Sequence, residues 1–356
     1  MLLRNKSRHT VSLARSVVND ELSVAAVVVT WHCRIEAAVQ GAQVTHGARG
    51  ARGAHGGLVP LAEPPPKLPT MPPGSDKVPV WQGVSVTAAG EALGPPRAPF
   101  VQPVVLHVGE EVRRLIVFGE RRWRRAPGGE LTATAPLPFD AIPLSFARAF
   151  GGSFTLGPGL FPGTDLPMPT MVVAYPWNPE GVGFYEDERA AEGQLLPSIE
   201  LPDQLVRRPT DRPEPGGFSA CPQLAGMRAP RGPAEAPATE PPEKGGRIVM
   251  SDALRIGLRA FHHAPGRLIF PKVPVGTRLA LDGLGPGAEG LQFEVPPSPV
   301  RAGIRRGRQD EEISPSLRSI HIDAATGIVS FEHAHAFHHH PDRAPEWVRV
   351  VDRGPA

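Results

Sequence analysis

Glycine and proline constrain this chain more than any other residues: 39 glycines and 44 prolines make up 83 of its 356 positions. Proline fixes φ and removes a backbone donor, and glycine weakens helix and strand interiors. Together they stand at nearly twice ordinary usage, just below the level that marks a low-complexity disordered chain. Short elements joined by many turns must follow.

The apolar residues, 40% of the chain, occur as short Val, Leu, Ile and Phe runs without helical stripes. This predicts a mainly β protein, a β-rich α+β class of antiparallel, sandwich-like sheets with long Gly/Pro-rich loops. A chain of 356 residues exceeds the size at which one core usually stops growing, so one large domain or two subdomains are expected, and the composition favours two. Residues 1–21 read as a poorly defined N-terminal segment and 22–227 as a β-rich N-terminal subdomain. A Pro-rich linker over 228–247 then leads to a smaller β-rich C-terminal subdomain, 248–356.

Individual elements are legible where alternation is clear. Leu22–Val39 is too rich in Val for a helix and reads as one or two strands. Residues 41–73 lack apolar periodicity and read as a mobile loop, and Val78–Thr87 alternates as a strand. Val104–Val108 and Arg113–Phe118 flank Gly109-Glu110-Glu111 as a hairpin. Pro143 can open a short helical turn carrying Leu144, Phe146 and Phe150 and closed by Gly151. Ser153–Gly183 reads as a long Gly/Pro loop. Further on, Arg278–Leu281 and Leu291–Val295 read as strands about the turn 283–290. Ile320–Asp323 and Ile328–Phe331 form a second hairpin, and Trp347–Val351 a closing strand.

Charge and sulfur narrow the setting. The net charge of +2 supplies no field for nucleic acid or an anionic membrane. Cys33 and Cys221 fit no ligand or redox spacing, which suits a reducing, cytoplasmic compartment. Met1–Lys6 resembles a basic leader, but Asp20 and Glu21 precede the apolar stretch and no small-residue cleavage site follows. No segment reaches the roughly 18 apolar residues of a membrane helix.

The chemistry-bearing motifs are few. No nucleophile elbow, phosphate-cradling loop or His-Glu-x-x-His helix is present, so no catalytic residue and no cofactor are expected. Two local patterns keep alternatives open. His333, His335 and His338 lie in a His-rich run in which alternation puts His333 and His335 on one strand face, a geometry zinc can use in a metal-dependent hydrolase. Contiguous histidines also bind metals adventitiously, and no metal is favoured. Trp123 stands among Arg121, Arg122, Arg124 and Arg125, a composition that can stack on RNA bases or simply cover a core edge.

Several motifs recur in a recognisable order. Val117-Phe118-Gly119-Glu120-Arg121-Arg122-Trp123 is followed by Pro138-Phe139-Asp140, Ile142–Phe146 with Pro143, and Arg148–Gly152. Asn178-Pro179-Glu180-Gly181-Val182-Gly183-Phe184, Leu196–Glu200, Asp211–Phe218 and Phe261–Pro265 complete the series. The pattern resembles a bacterial domain family of unknown function that accompanies type VI secretion genes, over most of residues 22–352. The resemblance implies a non-catalytic adaptor or chaperone that binds a secretion effector, the spike protein carrying it, or both. Arg122, Trp123, Phe150, Trp177, Asn178 and Phe184 are the expected partner contacts. Phe118, Gly119, Pro143, Gly151, Gly152, Pro179, Gly181 and Gly183 are expected to build the structural motif.

Overall fold

The computed structural model describes residues 1–17, 23–36, 57–61, 83–160, 163–220, 264–284, 290–340, 342 and 344–353. The elements begin with β1 (Leu2–Lys6), β2 (Thr10–Val17), β3 (Ser23–Glu36) and β4 (Gly57–Pro60), then β5 (Val84–Ala89) and β6 (Glu91–Leu93). A hairpin of β7 (Val101–Val108) and β8 (Glu111–Phe118) follows. Its loop is Gly109-Glu110, and Gly109 takes a φ of +60°, a conformation that L side chains resist. Short strands come next: β9 (Trp123–Arg125), β10 (Leu131–Ala133), β11 (Ala141–Pro143), β12 (Phe150–Gly151), β13 (Ser153–Leu156), β14 (Gly159–Leu160), β15 (Pro167–Met168), β16 (Met171–Ala174) and β17 (Val182–Gly183). After the one-turn α1 (Glu188–Ala191) come β18 (Ile199–Glu200), β19 (Ile269–Phe270), β20 (Arg278–Asp282) and β21 (Leu291–Glu294). The chain closes with β22 (Val300–Arg306), β23 (Gln309–Ile313), β24 (Ser316–Asp323), β25 (Ile328–His339) and β26 (Trp347–Asp352).

Three larger sheets carry the fold. A seven-stranded sheet runs β19-β5-β24-β25-β3-β2, with β4 paired to β3; a five-stranded sheet runs β18-β8-β7-β20-β21; a four-stranded sheet runs β1-β26-β22-β23. Pairing is mostly antiparallel, but β1 with β26 and β5 with β24 are parallel. The long strands β3 and β25 bridge two cores. Trp31 and Cys33, with Val329 and Phe331, face the larger core beside Leu106, Leu115, Leu279 and Phe293. Ala25, Val27, Val29 and Phe337, from the other half of the same strands, pack on Val300, Ala302, Ile304, Val348 and Val350. Alternation on β3 places its odd-numbered residues on this face, so one 14-residue strand serves both cores. Trp31 stacks on Phe331 with centroids 4.7 Å apart, and Phe293 meets Phe331 edge-on at 6.1 Å.

The mainly β, antiparallel class is as the sequence indicates, and both hairpins and the closing strand fall where alternation puts them. Other readings need correction. Strands of 22–227 and of 248–356 interleave in the seven- and five-stranded sheets, so the expected boundary does not separate two cores. The linker 228–247 itself lies outside the described residues, as do Phe261–His263, Cys221 and most of the loop 41–73. Within that loop, Gly57–Pro60 is a strand on β3. Pro143 does not open a helix: it ends β11 opposite Glu91. The turn that follows is a 3₁₀ turn at Phe146–Arg148, capped by the Ser145 hydroxyl, which accepts from the Ala147 N–H, and Gly151 belongs to a strand.

Candidate functional site

The motif residues converge on one structural knot. β8 delivers Phe118 and Gly119, where the backbone passes so close to Leu137 that an added Cβ would lie 1.8 Å from its carbonyl oxygen. Arg121 then turns inward, 8% exposed. Its guanidinium lies 3.7 Å from the Phe118 ring centroid, donates to the Pro197 carbonyl at 2.7 Å and pairs with the buried Glu200. The other Glu200 oxygen accepts the Val206 N–H at 2.8 Å. Burial pushes the Glu200 carboxyl up, opposed by Arg121. This inward Arg121–Glu200 pair was not legible in the sequence, where Arg121 and Arg122 are indistinguishable neighbours. Strand alternation separates them, because Arg122 points outward to Glu120 at 2.9 Å and to the Gly193 carbonyl at 3.1 Å.

The second half of the knot is built on Asn178, which is fully buried. Its amide donates to the Phe146 carbonyl at 2.7 Å and the Phe150 carbonyl at 3.0 Å. Around it, β12 and β17 pair in parallel, Phe150 with Val182 and Gly151 with Gly183. At Gly151, φ is +152° and an added Cβ would lie 2.1 Å from the Asn178 carbonyl oxygen; at Gly181 it would lie 2.3 Å from the Asn178 amide nitrogen. Gly152 and Gly183 also adopt positive φ, both +107°. Pro179, the next residue in the chain, is half-buried. The glycines, Pro179 and Asn178 are therefore one packing solution.

This geometry revises the expected contacts. Trp123 and Phe150 are each 1% exposed and share a small core with Leu131, Tyr175, Ala191, Leu196 and Val206. With Asn178 they are interior, and Trp123 cannot offer its ring to a nucleic-acid base. Phe184 is half-buried among Phe154, Tyr175 and the Arg212 guanidinium. Arg122 and Trp177 remain at the surface, Trp177 at 45% exposure.

Beside Trp177 projects an arm, the hairpin of β13 and β16 extended by β14 and β15, where the sequence reads as loop. Phe154, Leu156, Val173 and Met171 share one face by register, anchored where Phe154 meets Phe184 at 5.2 Å. Val172, on the opposite face, is 70% exposed, Leu166 63% and Met171 40%. The two-stranded sheet has both edges unpaired among the described residues. An exposed apolar hairpin with open edges invites a partner strand.

The histidines are dispersed in role. His333 is buried, and its Nδ1 accepts the Trp31 indole N–H at 3.2 Å, with burial lowering its pKa to about 4. That acceptor use occupies the ring nitrogen a metal would need on this side. His335 lies on the same face two residues on, and the His338 side chain is outside the described set. Among the described residues no three His, Cys, Asp or Glu side chains are grouped to hold a metal ion. A groove of about 360 Å³ runs between β8 and the 201–203 and 214–218 segments. Its Arg267 is met by Asp203 at 3.1 Å and Glu214 at 3.0 Å.

Fold and site together define a β-rich protein with a buried glycine-asparagine knot and an exposed apolar arm. The chain belongs to the family described as "Uncharacterized protein conserved in bacteria (DUF2169)", whose model matches residues 56–332. The knot and the arm lie inside that span, whereas β1 to β3 and β26 lie outside it. No curated protein matches the chain, and no solved structure does. Among the described residues, no helix is long and apolar enough to cross a membrane.

Proposed function

We propose that the protein is a non-catalytic adaptor or chaperone that works in the bacterial cytoplasm. It binds a type VI secretion effector, or the spike protein that carries one, and aids its loading. The observation that carries this reading is the arm, which displays Leu166, Met171 and Val172 to solvent on a hairpin with open edges. Leaving such side chains exposed forfeits burial worth roughly 1.5–3 kcal/mol each, which a partner would recover. The knot beneath holds the arm in place, so docking orders little that is not already ordered. The secretion assignment rests on the motif resemblance from Val117 to Phe218; the family match supplies only a bacterial family of unknown function.

Co-expression with the genes that flank its own, any effector or spike gene among them first, tests the proposal. The protein is expected to co-elute with one of their products through affinity and size-exclusion steps. Failure to form a complex with any of them would remove the adaptor reading.

A further inference from the structure

The four-stranded sheet has a basic outer face that contains none of the motif residues. Register places three rows across it: Leu2, Trp347, Arg305 and Asp310; Arg4, Arg349, Gly303 and Glu312; and Lys6, Val351 and Arg301. Three guanidiniums stack around the Trp347 ring, Arg4 at 5.5 Å, Arg305 at 5.3 Å and Arg349 at 5.2 Å. Asp310 grips Arg305 with both carboxylate oxygens. Arg4, Lys6, Arg301 and Arg349 are exposed and form no ion pair among the described residues. Glu312 lies at the far edge, separated from Arg349 by the side-chain-free Gly303, and Glu346 lies near Arg305. Like charges facing each other across a ladder, as Arg4 and Arg349 do, are destabilising until an anion joins them.

We propose that this face and the open edge of β1 bind an extended acidic segment of a partner protein, added as a strand beside β1 with alternate carboxylates over Arg4, Lys6 and Arg349. Four residues of β1 are exposed, and only Leu3 is half-buried. Arg4 and Lys6 are two residues apart on one strand, roughly 6.6–6.8 Å, which is the repeat of same-face side chains on any added strand. Stacked guanidiniums keep their N–H edges free for bidentate carboxylates, as Asp310 demonstrates within the same sheet. Nucleic acid fits less well, because the one aromatic on the face is covered by arginines and offers no base-stacking platform. A second copy would bring Arg4 and Lys6 against themselves. The adaptor reading enters only in that the partner is a protein; the charge recognition stands on its own.

The test uses the full chain and a short fluorescent peptide of alternating glutamate and threonine. Parallel titrations use a single-stranded oligonucleotide of equal charge and phosphatidylserine vesicles. Saturable peptide binding that weakens with salt is expected, with affinity falling about ten-fold or more in Arg4→Glu/Arg349→Glu. Arg124→Glu, on an exposed site of another sheet, should leave it unchanged. If the double reversal does not fold, Arg4→Gln/Arg349→Gln replaces it, with a fall in affinity still required. Preference for the oligonucleotide or the vesicles, absence of peptide binding, or equal loss in Arg124→Glu would overturn the proposal. Arm variants that lose the cargo but keep the peptide separate failure of the adaptor reading from failure of this one.

Discussion

Asn178 ties the 146–150 stretch to the β17 side of the knot through its amide bonds to the Phe146 and Phe150 carbonyls, beside the short parallel pairing of β12 with β17. Asn178→Ala would take the side-chain donor from the buried Phe150 carbonyl and one of two donors from the half-buried Phe146 carbonyl, which keeps the Ala149 N–H, and a loss of about 1–3 kcal/mol is expected in denaturant unfolding. Gly151→Ala should cost at least as much, since its Cβ would fall 2.1 Å from a backbone oxygen. Neighbours on β25 respond oppositely to pH. Burial lowers the His333 pKa to about 4, so the folded state resists protonation, and His333 lowers stability as pH falls from 6.5 toward 4. Glu332 is raised by burial to about 7 from 4.5, so the folded state holds its proton, and stability is lost as pH rises between those values. Glu332→Gln is therefore expected to raise the Tm at pH 8 and leave it nearly unchanged at pH 4, a pattern that thermal melts at the two pH values check. The sequence marked the knot residues as a group, because glycine, proline and aromatic positions are unusual locally. It could not tell Trp123 inside from Trp177 outside, because that depends on which face distant strands cover.

Elements defined by local pairing were the legible ones. β7 with β8 and β24 with β25 close through short turns, so alternation and a glycine suffice to mark them. The parallel pairs of β1 with β26 and β5 with β24 join segments far apart in sequence and leave no local trace. The arm was missed for another reason: its prolines and glycines read as loop, yet β13 and β16 pair over four residues each. At this scale the apolar tip is the part that should matter to a partner. Met171→Asp/Val172→Asp is expected to lower the Tm by no more than about 5 °C, since Val172 is 70% exposed and Met171 40%. The same change should abolish cargo co-elution in size-exclusion chromatography.

The whole molecule is one interleaved assembly of strands. The seven-stranded sheet takes β2, β3, β4 and β5 from the first part of the chain and β19, β24 and β25 from the last. Composition suggested a break at 228–247 because proline accumulates there, but strand pairing across that interval joins the two sides. If a protease site is inserted between residues 228 and 247 and cut in the native protein, the fragments should stay together and unfold in one transition; two separable folded pieces would contradict the topology. In the adaptor proposal, these interleaved sheets carry the exposed arm that meets the cargo. The most direct measurement of the adaptor proposal is the affinity of the purified protein for a type VI effector or spike protein encoded in the same genome, by titration calorimetry, compared with Met171→Asp/Val172→Asp. The adaptor account predicts saturable binding that weakens at least about ten-fold in the variant, equivalent to about 1.4 kcal/mol. Binding that the variant leaves unchanged, or no binding by the native protein, would contradict it.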